Sequence, residues 1–170
     1  MHQRPDRLPD QLSSVDLGID ANIPEHYVSD VTTRLSIYRM VASVTTESGV
    51  EALKAEFEDR FGSLPPQVQN LLYMVRLRVL ATRVKARSVI REGEEIVVRL
   101  RGKIGGVRER LQVNLGREVF VGNAQIRLDL KKVCGRWECA LVNMLDKLAD
   151  FIVQIEVDLG YRERNDEDGL

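Results

Sequence analysis

SGVEALKAEFEDRFGSLPP, running from Ser48 to Pro66, is the stretch whose reading decides the fold of this chain. It reads as an acidic helix, a hard stop and the start of a second helix. Ser48 and Glu51 have the S-x-x-E spacing of a capping box, in which each side chain satisfies a free backbone N–H of the first turn. Val50, Leu53, Phe57 and Phe61 fall at i, i+3, i+7 and i+11 and form one apolar stripe. Gly62 stands where a helix needs a left-handed C-terminal residue, with positive φ. Pro65 and Pro66 suit the first turn of the next helix, where a missing N–H costs little.

Roughly opposite the Leu53/Phe57 stripe, at about 100° per residue, lie Ala52, Ala55, Glu56 and Asp59. Two small residues flanked by two carboxylates make a flat surface. It is either a solvated acidic face, as charged helix faces commonly are, or a docking face for a basic partner. Glu56 and Asp59 are expected to be exposed. Phe57, Phe61, Leu71, Leu72, Val75 and Leu141 are expected to be largely buried.

Upstream, residues 1–14 are polar, with Pro5 and Pro9, and read as a disordered lead-in or a linker from a longer chain. Val15 to Asp20 alternates apolar and polar, which suits a short strand or extended arm, and Pro24 biases Ile23 to an extended conformation. Ser29 or Asp30 then caps a helix to about Val44. Val31, Leu35, Tyr38 and Ala42 form its main stripe, and Ile37, Val41 and Val44 widen it. The acidic helix is the nearest element in sequence that could cover this face.

Downstream, a helix from Pro66 to about Lys85 is apolar on two sides. Val68, Leu71, Leu72, Val75 and Val79 lie on one arc; Tyr73, Leu77, Leu80 and Val84 lie on another. Such a helix is normally buried between layers, which places it at the centre, with helices on one side and a sheet on the other. Arg87–Ile90 and Glu95–Arg101 are strands about the turn at Glu92-Gly93. Ile104 to Leu115 is a short helix, and Glu118–Val121 with Gln125–Leu130 make a second hairpin about Gly122-Asn123-Ala124. From about Arg136 to Val157, Trp137, Leu141, Met144, Leu145, Leu148, Ile152 and Ile155 recur at threes and fours, a long amphipathic helix. The fold class is α+β: a helical layer plus a small, mainly antiparallel sheet, with a long C-terminal helix. Residues 15–160 form a single domain, and 161–170 read as a disordered charged tail.

Composition narrows the function classes. A net charge of −1 provides no global basic field for nucleic acid. No run approaches the roughly 20 apolar residues of a membrane span, and the N-terminus has no apolar signal core, so the expected location is the cytoplasm. Cys134 and Cys139 lack a matching second pair, and His2 and His26 are remote, so no metal site is expected. Cys139 reads as a small core residue of the last helix. Arg101-Gly102-Lys103-Ile104-Gly105-Gly106 is basic and Gly-rich, but its order is not that of a phosphate-binding Walker loop; it reads as a turn. Arg76, Arg78, Arg83, Arg87 and Arg91 would bind nucleic acid only if they shared a face, and arginines beside a buried helix more often salt-bridge or snorkel. No nucleophile–base pair is recognisable, and no catalytic or cofactor-binding residue is assigned.

Several pieces, in order, resemble the C-terminal domain of the bacterial transcription-repair coupling factor (Mfd). They are Ile23-Pro24 with Tyr27, then Arg34-Leu35, Tyr38 and Ala42-Ser43, then the D-R-F-G-x-L-P run at Asp59–Pro65, then Asn70-Leu71-Leu72 and Arg76-Leu77-Arg78. Together they span roughly Val15 to Ala86, with a weaker match downstream. The resemblance implies a non-catalytic regulatory domain of a larger protein that is an ATP-driven DNA translocase, removes RNA polymerase stalled at lesions and recruits UvrA for nucleotide-excision repair. It implies that this domain docks on the parent's UvrB-like module and masks its UvrA-binding surface. The acids that would face arginines there match Glu56 and Asp59, within the face completed by Ala52 and Ala55. The competing classes are a stand-alone enzyme, which requires a deep pocket with convergent polar groups, and a free-standing nucleic-acid-binding module, whose affinity would fall steeply with salt.

Overall fold

The structure, a computed structural model, describes residues 13–167, with side chains to residue 158. Most of the lead-in assigned above lies outside these residues, but Ser13 is built into the fold: its Oγ donates to the carbonyl of Ala86 at 2.7 Å. The chain forms β1 (Ser14–Asp16), α1 (Val31–Ser43), α2 (Glu47–Phe61), α3 (Pro66–Arg83), β2 (Ala86–Glu92), β3 (Glu95–Leu100), a single 3-10 turn (Gly105–Val107) leading into α4 (Arg108–Leu115), β4 (Val119–Val121), β5 (Gln125–Asp129) and α5 (Trp137–Glu167). The sheet has the order β1-β2-β3-β5-β4. Among the described residues only the β1–β2 pairing is parallel. This is the expected α+β architecture.

Two hydrophobic cores meet at α3. Val68, Leu71, Leu72, Val75 and Val79 enter a helical core with Ile37, Val41, Val50, Leu53 and Phe57. Leu77, Leu80, Ala81 and Val84 enter a sheet core with Ile96, Val98, Ile126, Leu128, Leu141 and Leu145. The two arcs read from the sequence are the two buried faces. An 18-residue helix that is apolar on both sides can be stabilised only by burying both.

Four local expectations change. First, α2 starts at Glu47 and is capped by Thr46, whose Oγ1 accepts from the N–H of Gly49 at 3.1 Å. The Ser48/Glu51 capping box therefore does not form, because Ser48 is already inside the first turn. Second, α1 is rotated from its expected orientation: Val31 and Leu35 are 58% and 55% exposed, Tyr38 and Ala42 are also exposed, and Ile37 and Val41 are the buried pair. Polar bonds fix this rotation. Asp30 caps the helix start through the N–H of Thr33. Arg34 donates to the carbonyls of Val28 and Ser29, and Arg78 reaches those of Val41 and Val44. Third, α5 continues past Val157 to Glu167 and takes up most of the expected charged tail. Gly160 inside it costs only about 1 kcal/mol, and Gln154 bonds Asp158 one turn on. Fourth, Cys139 is exposed on the outer side of α5.

Candidate functional site

The face opposite the buried stripe of α2 is open to solvent. Ala52, Ala55 and Asp59 are exposed, and Glu56 is half-buried. Glu56 is held by Arg60 one turn on, at 2.8 Å, and the Arg60 guanidinium lies 5.1 Å from the centre of the Phe61 ring. Asp59 has no hydrogen bond or ion pair among the described residues. Over its whole length α2 has five acids against two bases, so it carries a local negative field that the near-neutral total conceals. Glu47 at its start is paired with Arg83 at 2.7 Å and lies 3.7 Å from Arg76.

The helix presenting this face is held rigidly. Phe57 is 2% exposed and anchors the buried side. Phe61 is only half-buried; it packs at the rim against Tyr27, with ring centres 5.7 Å apart. The Tyr27 hydroxyl lies 3.1 Å from the carbonyls of both Phe57 and Gly62 and donates into the C-terminus of α2. Burial and the charge of Glu58 raise the Tyr27 pKa, which keeps the phenol a donor. Gly62 ends the helix at φ 80°, ψ −152°. The positive φ is as expected, but the residue is extended rather than left-handed helical, a region essentially restricted to glycine.

The residues that carry the family resemblance are largely structural pins. The N–H of Ile23 donates to the Tyr38 hydroxyl at 2.9 Å. Asn70 Nδ2 donates to the carbonyl of Asp20 at 2.8 Å. Arg78 takes the carbonyls at the C-terminus of α1, and its burial lowers its pKa. The five arginines considered for nucleic acid do not form one free face. Arg76 and Arg83 pair with Glu47, Arg78 caps α1, and Arg91 lies over Trp137, 5.5 Å from the ring centre. Tyr73, whose pKa is raised by burial, donates to the carbonyl of Glu138 at 3.0 Å. It ties α3 to the start of α5.

One feature went unread in the sequence. Leu100, Ile104, Leu111, Leu148, Ile152 and Ile155 converge on an apolar groove of about 280 Å³ with Lys85, Lys103 and Glu156 around it. Its signal was divided among a turn, a short helix and the last helix. No periodicity within any single element reveals it.

The α+β fold of this chain has a known counterpart, and part of its sequence has known relatives. The model of the TRCF domain matches residues 17–105, and the chain belongs to that family. The transcription-repair-coupling factor of Escherichia coli (strain K12) is 40% identical over 88 residues, which are 52% of this chain and 8% of that protein. That of Rickettsia typhi is 33% identical over 88 residues, again 52% and 8%. The chain thus matches less than a tenth of the length of these relatives. The crystal structure of the C-terminal domain of a transcription-repair coupling factor covers 82% of this chain and 94% of its own, at a TM-score of 0.64 and 21% identity. That likeness shows a shared fold over more of the chain than the matched segment.

Proposed function

We propose that this chain is a non-catalytic, regulatory C-terminal domain of a transcription-repair coupling factor. Its α2 face, made of Ala52, Ala55, Glu56 and Asp59, docks on arginines of a UvrB-like module in the same parent protein. Docking covers the surface that UvrA would use and holds the parent in a repressed state in transcription-coupled nucleotide-excision repair. On this reading the motor that acts on DNA and RNA polymerase lies elsewhere in the parent, and this domain supplies neither catalysis nor a cofactor site.

The observation that carries the reading is the accessible carboxylate of Asp59 beside Ala52 and Ala55. Alanines let a partner's backbone approach closely, and a carboxylate without an internal partner is free to accept a guanidinium in a two-bond fork. Glu56 is available at low cost. Its pair with Arg60 is about half-exposed, and exposed pairs contribute about 0–1 kcal/mol. Giving up Arg60 for a partner's arginine therefore costs the domain little. Loss of one member of a desolvated pair costs about 2–5 kcal/mol, enough to change the closed population greatly.

The test is a UvrA-binding titration of the full-length parent carrying Glu56→Lys and Asp59→Lys together. Lysine against arginine repels, so UvrA should bind more tightly than to the unaltered protein. Unchanged affinity, with the domain's circular dichroism and melting intact, overturns the assignment of the latch to these residues.

A further inference from the structure

We propose that the groove between α5, the 101–104 turn and the end of α3 is an anchor pocket for a protein partner. Its occupant is a peptide segment that presents one large apolar side chain next to a carboxylate. This inference is independent of the α2 face, which lies on the other core.

The groove is built for an apolar insert. Leu111 and Leu148 form a fully buried floor, each 2% exposed, and half-buried Ile104, Ile152 and Ile155 form the walls. Its volume of about 280 Å³ is just below the range of roughly 300–1,000 Å³ typical of small-molecule sites. A single large apolar side chain seated in a desolvated pocket is the usual anchor of a protein contact.

The rim specifies charge. Lys85 Nζ lies 3.4 Å from Glu156 Oε1, and both side chains are mostly exposed. Lys103 is exposed and carries no hydrogen bond or ion pair among the described residues, so the rim is net positive over the described residues that line it. Lys85 is also the only non-glycine residue with positive φ among those described, at 55°. It follows the C-cap of α3, a position where glycine is the unstrained choice. A lysine there holds a cation at the rim despite the strain. The turn is not a phosphate cradle, because two of its N–H groups are already committed. That of Arg101 donates to the carbonyl of Lys85 at 3.0 Å, and that of Ile104 to Asn123 at 2.8 Å.

The experiment is a methyl-NMR titration of the whole chain with a capped pentapeptide, Ser-Asp-Phe-Asp-Ser. Three further probes accompany it: the same peptide with Phe replaced by alanine, the same with both aspartates replaced by lysine, and octanoate. The acidic Phe peptide should shift the methyls of Ile104, Ile152 and Ile155 saturably, and the alanine peptide should not. The lysine peptide should bind about fivefold more weakly, the upper range for an exposed charge contact. Lys103→Glu should weaken the acidic peptide similarly. Lys85→Gly should also weaken it while raising the Tm. Equal shifts with all three peptides, shifts confined to other regions, or no shift at millimolar peptide overturn the proposal. Saturation by octanoate at lower concentration than the peptide also overturns it and identifies a small-amphiphile site instead.

Discussion

The two cores on either side of α3 are stabilised differently. The helical core is ringed by side-chain-to-backbone bonds from Tyr27, Arg34, Tyr38, Asn70 and Arg78. The sheet core is larger and has fewer such pins. Gln112 is the main one: its Nε2 donates to the carbonyl of Val119 and its Oε1 accepts from the N–H of Val121, joining α4 to β4. A pin requires a particular side chain, whereas a packed sheet face accepts many apolar residues of suitable volume. This accounts for the family resemblance concentrating in the helical half. The match at residues 17–105 spans that half and the first hairpin, whereas the region beyond it is related chiefly through its fold.

The largest effect that could break this comparison comes from the apolar centre of the helical core. Phe57→Ala should cost about 3–5 kcal/mol, measured by urea denaturation. Because α3 contributes to both cores, tryptophan fluorescence at Trp137, on the sheet side, should report the same transition as far-UV circular dichroism. Two separated transitions would show that the cores are independent units and that α3 does not couple them.

Arg78→Met should cost less, about 1–3 kcal/mol, since it removes the guanidinium that donates to the part-buried carbonyls of Val41 and Val44 at the end of α1. Hydrogen exchange should speed up in the last turn of α1 well before it does in the sheet. The Arg78 Nε is buried without a partner, so methionine relieves one desolvated group while exposing others. A neutral result would mean that packing alone holds α1, and the contrast drawn between the cores would fail.

Gly62→Val should destabilise by about 1–3 kcal/mol, because the side chain forces strain on a backbone region open essentially only to glycine. Space is not the limitation, as no heavy atom lies within 4 Å of the position a Cβ would take. An unchanged melting temperature would refute the stop at the end of α2. The smallest effect belongs to the acidic face. Glu56→Lys with Asp59→Lys should change the stability of the isolated domain by no more than about 0.5 kcal/mol. A loss well beyond that would make these acids part of the helical core's own support rather than a free surface.

What the sequence determined by itself is the set of elements and the place of α3, because hydrophobic periodicity is a local property and a helix apolar on two sides has only one stable setting. The stop at Gly62, both hairpins and the exposed positions of Ala52, Ala55 and Asp59 follow from the same local rules. Tertiary structure decided the rest. The rotation of α1 goes with side-chain bonds at its two ends, from Arg34 to the carbonyl of Val28 before the helix and from Arg78 on α3 to that of Val41, and the period of apolar residues does not encode them. The cap of α2 fell to Thr46 because that residue, not Ser48, sits at the non-helical boundary. The extension of α5 depended on a competition in which Gly160 was too weak a breaker. The groove at Ile104, Ile152 and Ile155 exists only where three separate segments converge. Such a convergence has no period along the chain, since which side chains share a cavity is fixed by packing at long sequence separation.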